Sequence, residues 1–222
     1  MENDKILEII AQKNLDIAEY EKLIYKDSKI AVKQELKSAK ARELLAKNEV
    51  KLAKLKQILA EKNKKLNEIK GNAKDILNFS NNNLKNEEDY TIYNLKIAEI
   101  KKVIAEVQRK IASIEKQKSE VELKIIKEKL EVAKERGLLG NMQLNFVKLL
   151  KMSTPNGKLA KAKGTYLNQQ KKLNKAIREV YKKSIEVRRN EDKLADFKKE
   201  LSEKLAQREK IRPPSAKFPT NI

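Results

Sequence analysis

The sequence contains neither cysteine nor histidine, and these two absences remove much of the usual chemistry of proteins. Without cysteine, the chain cannot form disulfides, cysteine-based zinc sites or thiol nucleophiles. Without histidine, it lacks the usual general base near neutral pH and the commonest metal ligand. No apolar run approaches the roughly 18 residues that a membrane-spanning helix needs. We therefore expect a soluble, cytoplasmic protein, and a location at the periphery of a membrane or a large assembly is left open.

Helix-breaking residues are scarce. The 222 residues include five glycines, four prolines and no tryptophan, while 38% of the side chains are charged and 5% are aromatic. Glycine and proline are the costliest residues in a helix interior, so their scarcity favours long helices. Apolar residues also recur at helical intervals through most of the chain, which argues against disorder. The composition and the periodicity together predict an all-α protein.

The first predicted helix covers about residues 4–78. One row of residues spaced seven apart along it is mostly apolar, and the row consists of Ile10, Ile17, Ile24, Ala31, Ser38, Leu45, Leu52, Leu59, Leu66 and Ala73. From Leu45 a second row joins the first, at Asn48, Leu55, Lys62 and Ile69. Two such rows predict a coiled-coil seam. Asn48 interrupts the apolar row and is the best candidate for a side chain that fixes the register.

The second predicted helix covers residues 87–136 and has the most regular seam, at Tyr90, Tyr93, Ile97, Ile100, Ile104, Val107, Ile111, Ile114, Lys118, Val121, Ile125, Glu128 and Val132. Gly137 and Gly140 predict a helix stop after it. A short apolar helix is then expected over residues 141–152. A third long helix is expected over residues 158–211, with an apolar stripe at Tyr166, Leu173, Ile177, Val180, Ser184, Val187, Leu194, Leu201 and Leu205.

These elements predict a single elongated domain over residues 1–212, an antiparallel coiled coil of three long helices plus one short helix. Prolines begin an extended tail over residues 213–222, in which Phe218 and Ile222 are candidate docking anchors. The first helix is expected to extend beyond the second by about 45 Å at its N-terminal end. Apolar surface of that size rarely stays exposed. We therefore predict a partner interface there, comprising Ile6, Ile10, Ile17, Tyr20 and Ile24.

Positive charge is concentrated near the C-terminus. Residues 158–222 carry 19 basic and 8 acidic side chains, within a net charge of +20 for the whole chain. On the third predicted helix, one face opposite the apolar stripe collects Lys171, Lys175, Arg178, Lys182, Arg189 and Lys193. This basic stripe is a candidate site for a membrane phospholipid or a nucleic-acid backbone. Because 44 of the 52 basic residues are lysines, an AT-rich genome that fills exposed positions with lysine is the alternative explanation.

No pattern in the sequence indicates catalysis, a cofactor or a small-molecule substrate. The glycines do not have the spacing of a phosphate-binding loop, and the acidic run of residues 87–89 suits the first turn of a helix better than a metal site. We therefore expect a non-enzymatic structural or adaptor subunit that binds other proteins, with a second copy of the chain as an open possibility. The alternative is a binding module for an anionic surface, which would use the basic stripe.

Overall fold

The computed structural model describes residues 2–76, 82–152 and 155–214, and side chains within residues 4–70, 89–152 and 155–214. Helix accounts for 97% of the described residues, which confirms the all-α prediction. The three helices are α1 (Glu2–Ile76), α2 (Asn82–Lys151) and α3 (Asn156–Lys210). The described residues divide into two compact units, each of which includes part of every helix. Unit 1 comprises the described residues within Met1–Ser38 and Gln117–Glu191, and unit 2 comprises those within Ala39–Lys116 and Asp192–Ile222.

Small residues form the contact between α1 and α2 in unit 1. Ala11 and Ala18 of α1 are almost fully buried, as are Ala133 and Val147 of α2. Gly140 lies so close to α1 that an added Cβ would be 2.9 Å from the backbone oxygen of Ala11. Side chains at a helix contact set the distance between the axes, so small ones permit a close approach. Alanine and glycine are therefore the packing residues of this pair of helices.

The predicted helix stop at Gly137 and Gly140 is wrong, and so is the separate short helix over residues 141–152. Helix α2 continues through both glycines to Lys151. Although glycine lowers helix stability by roughly 1 kcal/mol relative to alanine, the neighbouring helix compensates when it packs against the bare backbone. Gly140 is buried against α1, so the contact explains why a glycine stands inside this helix.

The predicted seam of α1 is displaced by one residue. The buried residues of α1 recur every seven positions along the row that follows the predicted one, at Ala11, Ala18, Ala39, Ala46, Ala53 and Ala60. The predicted seam residues Ile10, Ile17, Leu45, Leu52 and Leu59 are between 42% and 60% exposed. Hydrophobicity favoured the leucine row as the seam, but close packing needs the smaller side chains. Consequently the large apolar residues of the predicted row stay substantially exposed.

Polar pairs give the order in which α1 and α2 meet. In unit 1 they join Glu8 to Lys151, Asn14 to Gln143 and Glu21 to Arg136. In unit 2 they join Glu43 to Lys116 and Asn67 to Thr91. In both units the residue number falls along α2 as it rises along α1. The pair between Glu8 and Lys151 also shows that α2 reaches the start of α1, so the predicted uncovered overhang is wrong. Helix α2 extends this far because it continues through Gly137 and Gly140 without a break.

A different face of α2 holds the apolar residues that the sequence predicted. Val107, Val121, Ile125 and Val132 are buried, whereas Tyr90 is 40% exposed. In unit 1 this face packs against α3 through a cluster of Val132, Leu139 and Leu173, with Tyr166, Ala176 and Val180 beside it. Helix α2 is thus apolar on two faces, as a helix between two neighbours must be.

Candidate partner-binding surfaces

The predicted partner interface is an exposed apolar face on α1 in unit 1. Its five residues are all open to solvent, with exposed fractions of 52% for Ile6, 43% for Ile10, 42% for Ile17, 72% for Tyr20 and 50% for Ile24. The structure adds three large apolar residues that are exposed on the same part of α1, namely Ile9, Leu23 and Ile30. These eight residues are the N-terminal apolar face.

Packing of α1 against α2 fixes the orientation of this face. Ala11 and Ala18 point to α2, so residues one position before them are turned by about 100° around the helix axis and lie beside that contact. The amide of Asn14 donates a 2.8 Å hydrogen bond to the side-chain oxygen of buried Gln143. An exposed apolar stripe that is held in one rotation can present a continuous surface to a partner.

A second apolar face lies on α1 in unit 2, where the sequence had predicted a coiled-coil seam. Its large residues are between 48% and 65% exposed, and they are Leu44, Leu45, Leu52, Leu55, Ile58, Leu59, Leu66 and Ile69. We call this set the leucine face. Asn48, the predicted register residue, is also exposed and lies in the same heptad row as Leu55 and Ile69. The sequence pattern identified these residues but not their exposure, because the alanine row that competes with them is less hydrophobic.

Each residue of the basic stripe on α3 is exposed. Lys171, Lys175, Arg178, Lys182 and Arg189 belong to unit 1, and Lys193 belongs to unit 2. Lys182 is 2.9 Å from the carboxylate of Glu179, and that ion pair is the only one that the described residues give to the stripe. The Lys182 ammonium donates a hydrogen bond to Glu179 and lowers the pKa of that carboxyl.

Two charged residues that interrupt the predicted α2 seam are paired with α3 in unit 1. The Lys118 ammonium is 2.9 Å from Glu191, and Glu128 accepts a hydrogen bond from Lys183. The bond to Glu191 raises the pKa of Lys118, while burial raises the pKa of neighbouring Glu122. Pairing with an opposite charge offsets the cost of half-burying Lys118 and Glu128. The sequence pattern alone did not identify these two partners.

The last predicted site residues are the two anchors in the C-terminal tail. The proposed tail anchors Phe218 and Ile222 lie outside the described residues. Within the part of the chain that is described, no group of three or more acidic residues could hold a metal ion. No helix in that same part is long and apolar enough to cross a membrane.

The fold is that of an all-α protein, with three long helices within the described ranges. Comparison of the chain with protein-family models, with curated proteins and with solved structures finds no match. The exposed faces of α1 and α3 are therefore the features that indicate a function.

Proposed function

We propose that this chain is a non-enzymatic structural or adaptor subunit that binds another protein through the N-terminal apolar face. The observation that carries the proposal is the exposure of five predicted interface residues on one part of α1. Full burial of an exposed isoleucine contributes about 1.5 to 3 kcal/mol, so covering the exposed half of several such side chains is enough to hold a partner. Monomeric proteins seldom leave so much contiguous apolar surface in water.

The scaffold in this proposal is an antiparallel coiled coil within each unit. The falling order of α2 partners along α1 supports that arrangement. Close packing through alanine and glycine keeps α1 in one rotation, so its large side chains stay available to a partner. The face is lateral rather than a free helix end, and it comprises Ile6, Ile10, Ile17, Tyr20 and Ile24 together with their exposed neighbours.

The test replaces Ile10, Ile17 and Ile24 with serine in the full chain, expressed in the source cell. All three are exposed, so we expect the helical circular-dichroism signal to stay unchanged. We expect the native complex, followed by size-exclusion chromatography of cell extract, to shift to the size of the free chain. The matched control replaces the exposed Lys13, Lys26 and Lys33 of the same helix with serine and should retain the complex. A triple isoleucine variant that keeps its complex would contradict the proposal.

The second candidate function is binding of an anionic surface, and the exposure of the α3 basic stripe favours it. Replacing Lys171, Lys175, Arg178 and Lys182 with glutamate should preserve the fold, because exposed substitutions usually change stability by less than about 0.5 kcal/mol. The variant should lose binding to phosphatidylserine vesicles or to duplex DNA, whichever the parent binds. Binding of the parent should weaken as salt rises. Unchanged binding by the variant would identify the stripe as an ordinary solvated face.

A further inference from the structure

Residues of the leucine face in unit 2, together with Asn48 and Lys62, form the two rows of a coiled-coil seam that stays exposed in the described part of the chain. Its two rows are Leu45, Leu52, Leu59 and Leu66, and Asn48, Leu55, Lys62 and Ile69. Every one of these eight residues is exposed. Alternation of three and four residues over four heptads is the geometry by which one helix packs against another. The face therefore fits an α-helix better than a flat or irregular partner.

Charges beside the seam indicate what kind of helix fits. The positions just before the first row and just after the second are those that pair with a partner helix across a coiled coil. They hold Lys51, Lys56, Lys65 and Lys70, against a single acidic residue, Glu49. All four lysines are exposed, and no ion pair within the described part of the chain engages them. A partner with glutamate or aspartate at the matching positions would pair with all four.

A groove beside the leucine face is lined by positively charged side chains. It has a volume of about 490 Å³ and opens between α1 and α2 of unit 2, next to Leu59 and Leu66. Three lysines line it, Lys56, Lys70 and Lys101, and the described lining includes no acidic side chain. A helix on the leucine face would therefore meet positive charge from α2 as well as from α1.

A second copy of this chain is a poor occupant for the same reason. Parallel copies in register would place Lys62 against Lys62 inside the seam, and Lys51 beside Lys56 at its edge. Antiparallel copies that match Leu55 with Leu59 would place Lys56 beside Lys56, and Lys51 beside Lys65. Like charges at these positions oppose pairing and select for a different partner.

We propose that the leucine face binds an acidic amphipathic α-helix of another protein, with apolar residues in a heptad pattern and glutamate or aspartate on both flanks. This site goes beyond the proposed function, which uses a different part of α1 in unit 1. The apolar rows supply the attraction, and the four flanking lysines supply the selection for acidic helices.

The probes for the test are two synthetic helical peptides of about 28 residues, or four heptads, each with leucine at the seam positions. One has glutamate at every flanking position, and the other has lysine there. Fluorescence anisotropy with the full chain should give a dissociation constant about tenfold lower for the acidic peptide, and this preference should shrink in high salt. Replacing Leu52 and Leu59 with serine should abolish binding of both peptides, while circular dichroism stays unchanged.

The decisive experiment reverses the charge of the flanking lysines. Replacing Lys51, Lys56 and Lys65 with glutamate should invert the preference, so that the lysine peptide binds tighter. Lys13, Lys26 and Lys33 of α1 lie in unit 1, and replacing them with glutamate should leave the preference as it was. Equal affinity for the two peptides would overturn the proposal. A parent chain that binds neither peptide would also overturn it. That outcome includes a parent chain that sediments as a dimer and becomes monomeric when Leu52 and Leu59 are replaced with serine. None of these outcomes depends on Ile10, Ile17 or Ile24, so the proposed function stands or falls separately.

Discussion

Gly140 of α2 lies against Ala11 of α1, and a Cβ added to Gly140 would be 2.9 Å from the backbone oxygen of Ala11 and 2.9 Å from Cγ of Leu15. Real Cβ atoms essentially never approach a neighbour so closely, and a backbone oxygen cannot turn aside as a flexible side chain can. The close contact of the two helices in unit 1 therefore depends on the absence of a side chain at this position.

Replacing Gly140 with alanine should destabilise the chain by roughly 1 to 2 kcal/mol, because overpacking outweighs the helix propensity gained. The control is Gly164→Ala in α3, where nothing lies within 4 Å of the added Cβ. That variant should be stabilised by about 0.5 to 1 kcal/mol. Urea unfolding followed by circular dichroism measures both. A stabilised Gly140→Ala chain would mean that α1 and α2 are farther apart than described.

The register of α1 can be tested with a neighbouring pair of residues in unit 2. Ala53 is buried in a cluster with Val50 and Ala105, whereas the adjacent Leu52 is 52% exposed. Ala53→Leu should cost about 1 to 3 kcal/mol, because three extra carbon atoms must fit between close helices. Leu52→Ser should change stability by less than about 0.5 kcal/mol. If thermal unfolding gives the opposite ranking, the leucine row is the buried one.

The hydrogen bond between Asn14 and Gln143 should contribute to the stability of unit 1. Gln143 is only 6% exposed, so Asn14→Ala leaves its side-chain oxygen without that donor. An unsatisfied buried acceptor costs about 1 to 3 kcal/mol. A double-mutant cycle with Asn14→Ala and Gln143→Leu, followed by urea unfolding, should give a coupling energy of about 0.5 to 1.5 kcal/mol. A coupling near zero would show that the two side chains do not interact.

Stability should depend on Glu43 in acid. The Lys116 ammonium donates a hydrogen bond to this carboxylate and lowers the pKa of Glu43 below its ordinary value of 4.5. A depressed folded-state pKa gives stability that is fully present above 4.5 and is lost as the pH falls through the folded-state pKa.

The variant Glu43→Gln should therefore lose stability near neutral pH and show a flatter decline below about 4.5 than the parent. Exposed Glu49→Gln serves as the control and should follow the parent. Thermal unfolding at several pH values between neutral and strongly acidic measures the effect. Identical slopes for Glu43→Gln and the parent would show that the pair with Lys116 contributes no pH dependence.

The sequence by itself determined that the chain is all-α. The rarity of glycine and proline and the helical spacing of apolar residues predicted three long helices, because both properties act within a segment and need no neighbour. It also predicted one of the two buried faces of α2, where large residues such as Val107 and Ile125 lie. Five of the eight residues of the N-terminal apolar face and all six of the α3 basic stripe were also singled out from the sequence, and all of them are exposed.

Only the tertiary structure decided which face of α1 is buried and where α2 ends. Two heptad rows run side by side on α1, one of leucine and isoleucine and one of alanine, and hydrophobicity selects the first. The close approach of α2 selects the second, because only small side chains fit between helices that are nearly in contact. The same approach turns Gly140 from an expected stop into a packing residue. Such choices depend on the distance to another helix, and no property of a single segment encodes that distance.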